Sequence, residues 1–322
     1  HVFLACRLEV AGRAQTGVIA DVSLNAYRDG YVKVHESTRH DQEDRLLEYM
    51  TAVRASFLPV FLTHRPSRTV DEVIIGVTAA APTIDFEAGD GLRITLWVIA
   101  DPELVASVEG ALAELEALYV ADGHHRAAAA ARYAGLRADE NSGHTGEEAY
   151  AHIAAVLFSS DQLAIQPYDR CVELAGHDPA DVLSQIGRDF ELESLRGCPD
   201  AASAGEYLMH LAESWYRVRP PERLLAQPGV AGLDVSILHD HLIGPILGVQ
   251  DPRTDLRLQF IPGAGGRNEL DRLCRGVETV SFAVHPASVD ELMDVADRGE
   301  TMPPKSTFFA PKLRSGVVVR LL

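Results

Sequence analysis

The sequence predicts a mixed α/β (α+β) protein, and three observations carry that prediction. Short apolar runs of strand length alternate with segments of helical apolar spacing along the first half of the chain. The composition, 47% hydrophobic and 24% charged, is that of an ordinary globular protein. The 322 residues are enough for two compact domains or one large one.

The elements follow in order. "TGVIADV" (17–23) and "LPVFLTH" (58–64) read as strands. Between them, "DQEDRLLEYMTAVRAS" (41–56) spaces Leu46, Leu47, Met50 and Val53 as one helix face. "RITLWVIA" (93–100) is a further strand, and Asp101-Pro102 is a good helix start for the segment to Leu118. "LYVADGHHRAAAAARY" (118–133) then reads as strand, turn and alanine-rich helix. The polar stretch "LRADENSGHTGEE" (136–148) is expected to be an exposed loop and a domain boundary. It would divide a first domain, 1–140, from a second α/β domain, 141–322. "AHIAAVLFS" (151–159) would open the second set. Helices are expected near 178–189, 202–214 and 234–246, strands near 256–261 and 279–284, and a terminal strand in "GVVVRLL".

Charge and cysteine usage narrow the function classes. With 29 Lys and Arg against 47 Asp and Glu, the net charge is −18, which opposes binding to a nucleic-acid backbone. A local basic cluster can still hold a phosphate inside an acidic protein. Cys6, Cys171, Cys198 and Cys274 form no CxxC pair and read as thiols of a reducing cytoplasm. No signal peptide is visible, and no apolar run reaches the ~20 residues of a membrane helix. A cytoplasmic protein with no membrane or nucleic-acid partner is therefore expected. The chain opens "HVFLACRLEV", already in a strand and without methionine, so a native segment is expected to precede it.

The densest chemistry lies at Asp122-Gly123-His124-His125-Arg126. A strand ending at Ala121 brings Asp122 to the carboxyl edge of a sheet, where open α/β folds place ligands. Gly123 permits a tight turn and close backbone approach. The helix that follows would point its N–H groups and positive dipole end at an anion, and Arg126 would add a forked grip on phosphate or carboxylate. The plainer reading makes Asp122 a helix N-cap and Arg126 half of a surface ion pair. Two consecutive helical histidines diverge by ~100°, so His124 and His125 are not expected to share one metal ion.

A second cluster is "KVHESTRHDQEDR" (33–45), with His35, Glu36, Thr38 and Arg39. It reads either as a solvated helix start capped by Thr38 or Asp41, or as a second catalytic segment facing Asp122. Two carboxylates facing a phosphate could divide proton acceptance from magnesium binding. "PGAGGRNEL" (262–270) is glycine-rich but lacks the full dinucleotide-binding spacing. "MPPKSTFFAPK" (302–312) is no Walker loop, although its prolines could hold Lys305 or Lys312 near a ligand.

These motifs together resemble a known family. "ADGHHR", preceded by "KVHESTR" and "LPVFLTHR", is similar to the bacterial domain-of-unknown-function family numbered ten-fifteen. "LFSSDQLAIQPYDRCV", "LDVSILHDHLIGPILGVQDPRTDLRLQF" and "TVSFAVHPASVDELMDVADRGETMPPKSTFFAPKLRSG" extend the likeness over nearly the whole chain. That family resembles the free serine kinases of the ParB/sulfiredoxin-like superfamily. The resemblance implies a ParB/sulfiredoxin-like catalytic half and a family-specific second half. It implies Glu36 as base or orienter of the acceptor hydroxyl, and Asp122 as second catalytic acid near phosphate and magnesium. His124, His125 and Arg126 would hold the phosphates, with His35, Thr38, Arg39 and Lys305 as further contacts. The expected partners are ATP or ADP, magnesium and a small hydroxyl amino acid such as L-serine. The competing readings are a non-catalytic nucleotide sensor and a nucleotide-gated DNA clamp. Thiol redox chemistry would need a cysteine where Asp122, Gly123 and His124 stand.

Overall fold

The computed structural model describes residues 2–197, 201–263, 270 and 278–322. The chain forms two compact units, His1–Leu163 with Phe309–Leu322, and Ala164–Phe308.

The first unit contains β1 (Phe3–Val10), β2 (Arg13–Ser23), α1 (Leu24–Arg28), β3 (Val32–Lys33), α2 (His40–Val53), β4 (Ala55–Ser56) and β5 (Val60–His64). It continues with α3 (Arg68–Thr78), β6 (Ile84–Glu87), β7 (Arg93–Ile99), α4 (Pro102–Ala113), β8 (Leu118–Asp122), α5 (His124–Glu140) and β9 (His152–Ser159). Eight strands make one mixed sheet in the order β3-β8-β5-β9-β2-β1-β7-β6. The pairs β3/β8 and β5/β9 are parallel, and the other neighbours are antiparallel. Asp101 caps α4 by accepting from the Glu103 and Leu104 N–H groups, with Pro102 in the first turn, as the Asp-Pro pair predicts. Apolar faces of α3, α4 and α5 join the sheet in one core that includes Val70, Ile74, Val108, Val120, Ala130 and Leu157.

Two expectations change here. Helix α5 continues to Glu140, into the stretch expected to be loop. Strand β9, expected to open the second set of elements, lies inside the first sheet between β5 and β2. The reason is burial: from Ile153 to Ser159 every residue of β9 is covered, which only an interior strand achieves. The change of unit therefore falls after Leu163, and the polar loop near 140 is a connection within the first unit. The terminal "GVVVRLL" forms only a two-residue strand, Arg320–Leu321, paired with β4.

The second unit contains β10 (Ile165–Gln166), β11 (Tyr168–Glu173), α6 (Pro179–Asp189), β12 (Glu191–Leu195), β13 (Tyr207–Leu211), β14 (Ser214–Arg219), β15 (Leu258–Pro262) and β16 (Thr279–Val284). Six of these strands form an antiparallel sheet, β12-β14-β13-β16-β11-β15. A helical run from Asp234 to Leu247 is broken by a π-helical turn over His239–Ile243, and the helix Val289–Asp297 opens with a Ser288/Glu291 capping box. The helix expected over 202–214 does not form, and residues 207–214 belong instead to the β13–β14 hairpin. Its two-residue turn, Ala212-Glu213, has positive φ at both positions without the usual Asn-Gly signal, so the hairpin was hidden. Tyr207, Leu208, Met209 and Val218 are fully buried in this sheet, and tertiary packing overrides the local helical spacing.

The cysteines also depart from expectation. Cys6 is a free thiol that burial pushes up to about 12, but Cys171 is disulfide-bonded. Cys198 and Cys274 lie outside the described residues, as does most of the 262–270 glycine-rich turn. Among the described residues no helix is long and apolar enough to cross a membrane.

Candidate functional site

The parallel pairing of β3 with β8 sends the chain after both strands to the same sheet edge. His35 and Glu36 follow β3 there, and Asp122, Gly123 and the start of α5 follow β8. The two motifs that the sequence separates by more than eighty residues thus share one edge. His35 bonds the Val120 carbonyl and feels the charge of Asp122.

Asp122 is the last residue of β8, and the N-cap of α5 is Gly123, at φ +101° with no side-chain cap. The plain N-cap role for Asp122 is therefore not what the fold uses. Its Oδ2 accepts from Arg126 Nη2 at 2.8 Å, and its Oδ1 accepts from Lys312 Nζ at 2.6 Å. Arg126 also donates through Nη1 to the carbonyls of Leu58 (3.1 Å) and Pro59 (2.8 Å), the residues leading into β5. Burial pulls the Arg126 guanidinium below its ordinary pKa, and Asp122 opposes that pull. The guanidinium folds back over Gly123 so closely that a Cβ there would sit 2.6 Å from Nη2. The positive φ favours glycine, and any Cβ would displace the Arg126 guanidinium.

A cavity of about 240 Å³ opens beside these groups, lined by Asp122, Arg126, Lys312 and Arg314 with the apolar Phe61 and Val156. Asp122, Arg126 of the first turn of α5, Lys312 and Arg314 thus line one small space, with Arg314 also paired with Asp90. In a chain of net charge −18 this is a local basic site suited to an anion. Lys312 is the residue that sequence reasoning named only as an alternative to Lys305. Arg314 it missed, since nothing near it in sequence marks it.

Beside this lies a second cluster. His35 and His124 are 1% and 4% exposed, and their rings meet edge to face with centroids 4.5 Å apart. Glu36 Oε2 lies 3.8 Å from His124 Nδ1. Burial pushes His35 down to about 4, against the opposing pulls of the Val120 carbonyl and Asp122. Burial, followed by the fields of His35, His125 and Arg126, pushes His124 well below its ordinary value. Both rings are accordingly neutral near pH 7.

The remaining predicted residues hold the frame. His125 Nε2 accepts the Arg39 backbone N–H at 3.0 Å, tying the start of α2 to the start of α5. The Arg39 side chain pairs with Asp41, at 3.1 Å for each of two bonds. Thr38 caps nothing: its hydroxyl donates to buried Glu43 at 2.5 Å. Arg132 of α5 bonds Glu43 (3.0 Å) and Asp44 (2.8 Å), closing the α2–α5 contact. Lys305 belongs to the second unit, where its ammonium lies over the Tyr168 ring at 5.6 Å.

The chain is similar to several known proteins. Among solved structures the chain is similar to SbnI with a C-terminal truncation from Staphylococcus aureus, at 12% identity and a TM-score of 0.50, over 94% of this chain and 87% of that one. It is also similar to a mutant free serine kinase in complex with ADP, at 15% identity and a TM-score of 0.47, over 94% and 92%. A conserved hypothetical protein from Pyrococcus furiosus matches at 14% and 0.46, over 94% and 95%. At such identities the likeness to SbnI is one of fold, a mixed α/β architecture. Among curated proteins none matches the chain. Residues 1–236 match the family described as "Protein of unknown function (DUF1015)". With well over half of its length matched, the chain belongs to the DUF1015 family.

Proposed function

We propose that this protein is a small-molecule kinase. It moves a phosphoryl group from ATP or ADP to the hydroxyl of a free amino acid, with L-serine giving O-phosphoserine as the first acceptor to test. The observation that carries this reading is the cavity beside Asp122, lined by Arg126 of the first turn of α5 together with Lys312 and Arg314. Phosphoryl transfer asks a protein mainly for positioning and charge neutralisation, and this is what such a pocket supplies. The motif resemblance adds the roles. Glu36 accepts the acceptor's proton, Asp122 is the second acid, and Gly123, His124, His125 and Arg126 form the phosphate-binding turn.

Magnesium enters this reading with the nucleotide, bridging phosphate oxygens and neutralising their charge. Asp122 offers the hard oxygens that magnesium takes, and its present partners are cations that phosphate oxygens would attract. One observation favours a second reading, a nucleotide sensor: both oxygens of Asp122 are already held by cations.

The deciding experiment is a phosphate-transfer screen with ATP or ADP, magnesium and a panel of hydroxyl amino acids and small alcohols, read by phosphorus NMR. A new phosphomonoester signal is expected. Nucleotide binding without product supports the sensor, and absence of nucleotide binding removes both readings.

A further inference from the structure

Three potential ligand atoms, one each from His35, Glu36 and His124, lie within 4.8 Å of one another. Zinc-ligand bonds of about 2.1 Å at tetrahedral angles put ligand atoms about 3.4 Å apart. The Glu36 Oε2 to His124 Nδ1 spacing of 3.8 Å is close to that already.

Two further features point the same way. His35 uses one ring nitrogen on the Val120 carbonyl, which leaves the lone pair on its other nitrogen. That backbone anchor is the usual outer support of a metal-ligating histidine, fixing both tautomer and ring orientation. His124 is 4% exposed, so bulk water does not compete for its ring nitrogens.

We propose that His35, Glu36 and His124 bind a divalent transition metal of the zinc, cobalt or manganese class. The donor set decides the class: two imidazoles and one carboxylate suit these ions, whereas magnesium prefers an all-oxygen shell. Three protein ligands leave a coordination position open, which is the pattern of catalytic rather than structural sites. The two histidines that can share an ion are thus His35 and His124, each two residues beyond the end of its strand (β3 or β8), and not the adjacent pair in the sequence. The inference does not rest on phosphoryl transfer, although the two readings share Glu36 and His124.

The test uses the full chain, stripped with chelator and without nucleotide. Cobalt(II) is titrated in and followed by its visible d–d absorption, and zinc binding is measured by calorimetry. One equivalent of cobalt is expected, with bands of four- or five-coordinate nitrogen and oxygen ligation, displaced by zinc and not by excess magnesium. Glu36→Gln changes a half-exposed side chain and leaves the fold intact by circular dichroism. It should weaken zinc binding at least about tenfold, as should His124→Asn. Cobalt binding that both variants retain at wild-type strength, or that magnesium displaces, overturns the site. So does a wild-type chain that binds neither metal. Because the readout needs no nucleotide, a negative kinase screen and a negative metal titration are separate results.

Discussion

Lys312 Nζ lies 2.6 Å from Asp122 Oδ1 although 190 residues separate them in the chain. Both side chains are about one-third exposed, at 33% and 34%. A pair so exposed contributes only about 0–1 kcal/mol to stability. Its significance is positional: the returning C-terminal segment delivers a second cation to a carboxylate that Arg126 already holds. The group beside the cavity is therefore poised for exchange, with a cation that an incoming anion can recruit.

Replacing this lysine tests that reading. Lys312→Met should weaken nucleotide binding about tenfold or more, the value of one charge-assisted hydrogen bond. Unfolding stability should change by less than about 1 kcal/mol. Calorimetric titration and urea denaturation measure the two effects. An unchanged dissociation constant removes Lys312 from the phosphate site.

The neighbouring charges should separate by role. Asp122→Asn should leave nucleotide binding largely intact and remove most turnover in the NMR assay. Arg126→Ala should weaken nucleotide binding and also cost about 2–3 kcal/mol of stability, because the carbonyls of Leu58 and Pro59 lose their donor. If Asp122→Asn turns over at the wild-type rate, its catalytic assignment is wrong.

Gly123 offers a steric test with an internal control. Gly123→Ala combines a left-handed backbone with a Cβ 2.6 Å from the Arg126 guanidinium. It should destabilise by about 1–2 kcal/mol and weaken nucleotide binding as Arg126 is displaced. Gly110, inside α4 with nothing within 4 Å of a built Cβ, should instead gain about 0.5–1 kcal/mol on change to alanine. Equal effects at the two positions would falsify the close-approach argument.

The loop before β9 carries an acid-sensitive anchor. Burial acts to raise the Glu148 pKa, but the N–H groups of Thr145 and Gly146 and the Thr145 hydroxyl outweigh it and hold the carboxyl down at about 2. A carboxyl lower in the folded than in the unfolded chain stabilises the fold fully above the unfolded value of about 4.5. That contribution fades as pH falls from there toward 2. Denaturation curves across this window should be steeper in pH for wild type than for Glu148→Gln. Parallel curves would show that the anchor is absent in solution.

Much of the first unit was legible because its signals are local. The strand ending at Asp122, the glycine turn and the alanine-rich helix lie within sixteen residues and need no distant partner to be read. The Asp101-Pro102 cap is equally short-range. Elements whose identity depends on partners were misread. Residues 202–214 look helical until the strands of the second sheet are there to pair with 207–214, and β9 looks like a new beginning until β5 and β2 flank it. At the site, the two cations on Asp122 have different origins. Arg126 is four residues away and could be foreseen beside it, whereas Lys312 could be named only together with Lys305.

The sequence by itself determined the α/β class, the junction at 118–126 and the chemical types assembled there, since residue identity and backbone propensity act over a few residues. The tertiary structure decided which of those groups meet. Parallel pairing of β3 and β8 sets His35 and Glu36 beside His124, and the return of residues 309–322 to the first unit sets Lys312 on Asp122. Such meetings depend on strand register and chain return, which are fixed by burial of the whole sheet. No local stretch of sequence encodes them.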